Sequence, residues 1–180
     1  MRIVYCGAGS VGQRCEQVLK GLTPYSLPDI LGDQDWADDI LLSVHWPSKF
    51  TPERLKQFRI GALNLHNSYL PWNRGAHACS WAIVGRTPHG ATMHWMDQEF
   101  DTGDIFHQER LGMIPGETAH ELYQRTADLE VKVFRTSVMR LLDGCRTRIP
   151  QIGKGSWHTK KDFDLLTRAV NTSDCRVIKG

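Results

Sequence analysis

Three short aliphatic and β-branched runs, RIVYCGA (2–8), DILLSVHW (39–46) and IGALNLHNS (60–68), alternate with helix-compatible segments over the first third of the chain. Strands that recur in this way pair in parallel, because a crossover long enough to hold a helix returns the chain to the same end of a sheet. The first crossover places Val11, Cys15, Val18, Leu19 and Leu22 at helical spacing. The second, TPERLKQF (51–58), offers Thr51 as N-cap and Pro52 at the first helical position. Residues 23–38, with two prolines, a glycine and four aspartates, predict a loop.

Beyond this point AHACSWAIVG (76–85) predicts a short helix closed by Gly85. GATMHWMD (90–97) alternates like a strand, and GDIFHQERLGM (103–113) continues it after a turn. The clearest helix starts at a capping box, Thr118 with Glu121, and carries Leu122, Leu129, Val133, Val138, Leu141 and Leu142 as an apolar stripe until Gly144. The tail adds one short helix in KKDFDLLTRAV (160–170). The pattern implies one α/β domain over residues 1–180 with a mainly parallel sheet.

Charge says little about partners: 22 Lys plus Arg stand against 20 Asp plus Glu, a balance without the basic excess that grips a nucleic-acid backbone. No apolar run is long enough to span a bilayer, and the opening MRIVYCGAG is too short an apolar stretch for a signal peptide. Five scattered cysteines (6, 15, 79, 145 and 175) without a CxxC pair read as free thiols, which points to the cytoplasm. No metal is expected, since His66, His77 and His94 share no spacing typical of zinc ligands.

Two places carry chemistry. Gly7-Ala8-Gly9-Ser10-Val11-Gly12 is a GxGxxG at a strand–helix joint, where backbone N–H groups can meet a phosphate. A dinucleotide fingerprint would also need an acidic residue ending a second strand about 20 residues on, and only Asp29 and Asp33 of the proline-broken loop stand there. A tight structural turn explains these glycines equally well. The second place is Asn64-Leu65-His66. Residues i and i+2 of a strand share a face, so amide and imidazole stand side by side, with Leu63 and Leu65 turned to the other face. At the carboxyl end of a parallel strand that face opens on the crevice where α/β sheets bind ligands. Asp101, in the turn before Thr102-Gly103, supplies a carboxylate within reach of the neighbouring strand. A carboxylate beside an imidazole favours the charged ring and fixes its orientation. An amide donor and an imidazolium aimed at a carbonyl oxygen suit acyl transfer without a protein nucleophile.

LNLHNSYLPWNRGA followed by GATMHWMDQEFDTGDI resembles the formyltransferase family that uses 10-formyltetrahydrofolate. That family includes glycinamide ribonucleotide transformylase, methionyl-tRNA formyltransferase and the sugar N-formyltransferases. The N-x-H, L-P-x-x-R-G and D-x-G-D-I elements occur in order, and the likeness covers about residues 40–143. It implies a Rossmann-like formyltransferase domain, with Asn64, His66 and Asp101 as the catalytic trio and 10-formyltetrahydrofolate as co-substrate. It further implies that Trp46, Pro47, Ser48, Lys49 and Phe50, with Asp97, Gln98, Glu99 and Phe100, hold the pterin, largely through backbone groups. Because only the loop 23–38 stands where the family usually has a further strand–helix–strand portion, the sheet should be smaller than usual.

No β-barrel of the tRNA enzyme follows the matched region, and charge balance argues against a tRNA acceptor. A nucleotide-linked amino sugar is therefore the preferred acceptor. Alternatives are a glycinamide ribonucleotide transformylase-like enzyme and a 10-formyltetrahydrofolate hydrolase. A sugar nucleotide needs donors for its diphosphate and a surface for its base. Arg74, whose fork can pair with a phosphate, Gly9 and Ser10 at the glycine joint, and Trp72 are the candidates. Lys154, Lys160 and Lys161 around GSWHTKKD offer further charges, although such a tail is ordinarily just solvated. The expected partners are small molecules, a folate and an amine, with neither nucleic acid nor membrane; self-association into a homodimer stays open.

Overall fold

The structure is a computed structural model of the 180-residue chain that describes residues 1–26 and 39–169. The predicted loop 23–38 thus lies, from residue 27 on, outside the described residues. β1 (Ile3–Gly7), α1 (Gly9–Lys20), β2 (Ile40–Val44), α2 (Pro52–Lys56) and β3 (Gly61–His66) follow the alternation predicted for the first third. β4 (Arg74–Gly75), α3 (Ala78–Gly85), β5 (His89–Trp95) and β6 (Ile105–Leu111) come next, then α4 (Ala119–Leu142), β7 (Trp157–His158) and α5 (Lys160–Ala169).

The main sheet has five strands in the order β1-β2-β3-β5-β6. β1, β2 and β3 pair in parallel, β5 is antiparallel to β3, and β6 is antiparallel to β5. All strands but β5 therefore run one way, giving the mixed, mostly parallel sheet of a Rossmann-like fold. β4 and β7 form a separate two-stranded parallel sheet that the sequence pattern did not signal.

One face of the main sheet, through Ile3, Tyr5, Ile40, Leu42, Val44, Leu63, Leu65 and Met93, packs on α1 and α4. Fully buried Leu19, Val133, Phe134, Val138 and Leu141 meet it from those helices. Each such side chain is worth roughly 1.5–3 kcal/mol relative to exposure. The other face, through Val4, Cys6, Leu41 and Ala62, packs on Leu55 of α2 and on Phe58. Leu63 and Leu65 thus belong to the first core, leaving Asn64 and His66 on the opposite face, as the period of two requires.

Local signals explain the helix ends. Thr51 Oγ1 accepts from Arg54 N at 3.2 Å with Pro52 in the first turn. Gly85 lies within α3, which closes one residue later on Arg86 in the left-handed region. At α4 the capping box is complete: Glu121 N donates to Thr118 Oγ1 (3.2 Å) and Thr118 N donates to Glu121 Oε2 (2.7 Å). Thr118→Ala should therefore destabilise the protein by about 1 kcal/mol, read as a lower denaturant midpoint with an unchanged m-value.

Candidate active site

Asn64 and His66 end β3, and the chain leaves that strand through residues 67–75, which fold back over it. Leu70 anchors this loop in the interior, with its N–H donating to Thr92 Oγ1 (3.2 Å) and its carbonyl accepting from Gln108 Nε2 (3.1 Å). Asn73, buried and in the left-handed region, donates through Nδ2 to Thr87 Oγ1 (2.7 Å) and through its backbone N–H to Ser156 Oγ (2.8 Å). Its carbonyl lies 3.0 Å from His66 Nε2. A carbonyl only accepts, so Nε2 carries hydrogen, and the other ring nitrogen, Nδ1, is the one that faces Asp101.

Asp101 comes from the β5–β6 turn. Its own backbone is left-handed, at φ 58°, a conformation that Asp tolerates better than most residues. Gly103 closes the turn against β5, where a Cβ would stand 1.9 Å from the Trp95 carbonyl oxygen. Asp97 Oδ1 braces the same turn by accepting from Thr102 Oγ1 (2.7 Å) and Glu99 N (3.1 Å). From below, Gln151 Nε2 donates to the carbonyls of Asp101 (2.9 Å) and Gly103 (2.8 Å).

The carboxylate itself is 8% exposed and surrounded by donors. Gly75 N donates to Oδ2 at 2.9 Å, Asn64 Nδ2 stands 3.5 Å and His94 Nε2 3.3 Å from Oδ1, and His66 Nδ1 is 3.7 Å from Oδ2. Burial alone would raise its pKa. The charge of His66, the bond and charge of His94 and the Gly75 N–H outweigh burial and hold Asp101 well below the usual carboxylate range. Asp101 is thus an anion whose charge can sustain a neighbouring imidazolium.

His94 is the member of this cluster that sequence reasoning missed. Its Nδ1 faces the Trp95 carbonyl at 2.9 Å, while its Nε2 lies 3.3 Å from Asn64 Nδ2 as well as from Asp101. In the neutral ring Nε2 is free to accept from Asn64; in the charged ring it donates to Asp101. His94 thus bonds the amide in one state and the carboxylate in the other. It stands opposite Asn64 in the antiparallel β3–β5 register, next to a bulge at Met93/His94 in the pairing with β6. Bulges at such places re-aim side chains. The signal lay in GATMHWMD, but only knowledge of which strand β5 pairs with, and in what register, could have used it.

These side chains form part of a cavity of about 660 Å³, within the range usual for small-molecule sites. Trp46, Pro47, Ser48, Lys49 and Phe50 line it, as do Asp97, Glu99 and Phe100; Gln98 does not. Lys49 Nζ sits 5.0 Å from the centroid of the exposed Phe100 ring and so ties the two segments across the opening. The remaining wall comes from Gly75, Ala76 and His77 with Tyr123 and Trp157 to Lys160.

Gly9, Ser10, Trp72 and Arg74 are not on the cavity wall. Arg74 turns its fork inward, with Nε (3.1 Å) and Nη2 (2.7 Å) both donating to Gln151 Oε1, so it steadies the residue that holds the Asp101 backbone. Gly7 and Gly12 serve packing: a Cβ on Gly7 would meet the Tyr5 ring at 2.6 Å, and one on Gly12 the Gly7 backbone at 2.8 Å. Gly9 is left-handed at φ 66°, so the structural turn accounts for all three glycines.

Residues 34–138, more than half of the chain, match the formyl transferase family. The chain belongs to that family. It is 32% identical over 124 residues to a GDP-perosamine N-formyltransferase of Brucella melitensis biotype 1, a match that covers 68% of this chain and 48% of that protein. The chain therefore spans about half the length of that relative. The formyltransferase PseJ of Anoxybacillus kamchatkensis was solved in complex with UDP-4,6-dideoxy-4-formamido-L-AltNAc and tetrahydrofolate. It superposes with a TM-score of 0.81 at 26% identity, covering 98% of this chain and 96% of that one. A sugar N-formyltransferase from Shewanella sp. FDAARGOS_354 shares the fold at a TM-score of 0.79 and 19% identity; the likeness covers 92% of this chain and 79% of that one. Among the described residues no helix is long and apolar enough to cross a membrane, and Cys6, Cys15, Cys79 and Cys145 are free thiols. Cys175 lies outside the described residues.

A second pair reaches from the cavity wall into the core. His45, left-handed at φ 52° where β2 ends, places Nε2 2.7 Å from Oε1 of Glu130, a fully buried carboxylate of α4. Burial disfavours the charged ring, but the hydrogen bond and charge of Glu130 outweigh it, and the His45 pKa is raised. Stability from this pair is fully present below the unfolded value of about 6.5 and is lost as pH rises through the higher folded value. His45→Asn, which tolerates the left-handed backbone, should therefore destabilise the protein more at pH 6 than at pH 9 in denaturant titrations. An equal cost at both pH values would show that folding does not raise the His45 pKa.

Proposed function

We propose that this protein transfers a formyl group from 10-formyltetrahydrofolate to the amine of a nucleotide-linked amino sugar. The observation that carries the reading is the convergence of Asn64, His66 and Asp101 at one cavity, beside the segments 46–50 and 97–100 that the family resemblance assigns to the pterin. The similarity to a GDP-perosamine N-formyltransferase and to PseJ, whose complex contains a UDP-sugar and tetrahydrofolate, supports the acceptor class. Free thiols at Cys6, Cys15, Cys79 and Cys145 suit a reducing compartment, so the proposed site of action is the cytoplasm.

The neutral acceptor amine attacks the formyl carbon, forming a C–N bond and placing negative charge on the formyl oxygen. Asn64 Nδ2 and the Nδ1 edge of His66 stabilise that oxyanion, while Asp101 sustains the imidazolium. The amine proton passes to a water held by the Asp101 carboxylate. It is relayed from there to folate N10 as the bond from N10 to the formyl carbon breaks and the carbonyl is regenerated. Holding both reactants at one cavity converts a bimolecular encounter into an oriented one.

Incubation with 10-formyltetrahydrofolate and a panel of amino-sugar nucleotides should yield a product heavier by one formyl group in mass spectrometry. Formylation of glycinamide ribonucleotide alone, or release of formate alone, would instead establish one of the two alternative activities. His66→Ala and Asp101→Asn should each lower kcat by about 100-fold or more, with unchanged far-UV circular dichroism. Near-normal turnover in either folded variant would remove that residue from the mechanism.

A further inference from the structure

Trp157 is 57% exposed, although large aromatic side chains usually find cover in a fold of this size, and its ring lies on the wall of the reaction cavity. It is not on a loose tail. β7 pairs with β4, where Arg74 N donates to the Ser156 carbonyl (3.0 Å) and Ala76 N to the His158 carbonyl (2.9 Å). A Cβ on Gly75 would lie 2.2 Å from the His158 oxygen and 3.5 Å from Trp157 Nε1, so only glycine lets the two backbones approach so closely. His158 stacks on Trp81 of α3 (centroids 4.0 Å apart, planes 5° apart), and Phe163 stacks on His77 (3.7 Å, 9°). The indole is therefore held out into the cavity by a rigid support. The Gly75 N–H of that support also holds Asp101.

Lys160, three residues on, lines the same wall and is exposed. The nearby Asp162 carboxylate is turned back into the start of α5, accepting from Thr159 N (2.6 Å) and Thr159 Oγ1 (2.7 Å). An open aromatic face and a cation on one wall match a nucleoside diphosphate, whose base stacks on any π-face and whose phosphates need positive charge. The walls at 46–50 and 97–100 fall to the folate in the proposed reaction, so this one remains for the acceptor.

We infer that Trp157 and Lys160 form the subsite for the nucleoside diphosphate of the acceptor, in the role that the sequence suggested for Trp72 and Arg74. The inference rests on the proposed reaction for its choice of ligand, and direct binding tests it separately. Calorimetric titration with UDP, GDP and dTDP should show at least one of them binding the wild-type protein. Trp157→Ala should weaken that affinity about tenfold or more, the scale of one lost base–aromatic stack. Trp157→Phe should restore most of it. Lys160→Ala should weaken the diphosphate but leave the corresponding nucleoside unaffected. In steady-state assays the acceptor KM should rise with Trp157→Ala while the folate KM holds. A rise confined to the folate KM would give this wall to the folate's glutamate tail and overturn the inference, as would nucleoside diphosphate affinities that no variant changes. Formyl transfer to an amino-sugar nucleotide with those affinities unmoved would leave the reaction standing without the subsite. Trp157-dependent UDP, GDP or dTDP binding without any such transfer would leave the subsite standing without the reaction.

Discussion

A carboxylate 8% exposed at the end of a sheet has to be surrounded by donors or give up its charge. Asp101 keeps its charge, and much of the architecture around it follows from that requirement. Its donors come from three different strands: Asn64 from β3, His94 from β5 and the Gly75 N–H from β4. The loop 67–75 has to fold back over the sheet to deliver Gly75, and the same fold-back brings the Asn73 carbonyl to His66. The carboxylate and the imidazole are thus oriented by one loop, so a shift of that loop would misplace both.

That loop is in turn held by a segment far away in sequence. Ser156 receives the Asn73 N–H, β7 pairs with β4, and Gln151 reaches both the Asp101 turn and the Arg74 guanidinium. A connected set of part-buried polar groups of this kind orders its members together, which favours a single arrangement. On the other side of the cavity, the buried Glu130 of α4 grips His45 and so fixes the departure of the segment 46–50 from β2. Both ends of the cavity are therefore tied to the core by charge-bearing hydrogen bonds.

This division of labour bears on how the proposed reaction chooses its partners. The trio proposed for formyl transfer lies within the part of the chain that matches the family, whereas the wall bearing Trp157 and Lys160 lies beyond residue 138, where that match ends.

Periodicity made the strands and helices legible: the alternation of apolar runs with helical spacing placed β1, α1, β2, α2 and β3, and the pair Thr118/Glu121 located the start of α4. The period of two placed Asn64 and His66 on one face, and the D-T-G turn placed Asp101 near them. These are local properties, set by backbone geometry within a few residues. Strand order and register are not local. That β5 lies antiparallel beside β3, bringing His94 opposite Asn64, follows from how whole strands pack, and no short stretch of sequence encodes it. The same reason took Arg74 out of the cavity and put Trp157 into it. Residue type alone suggested a phosphate ligand in a loop and a solvated tail, and only the pairing of β4 with β7, beside a hydrogen bond that joins residues 83 apart in the chain, decided which of the two lines the cavity.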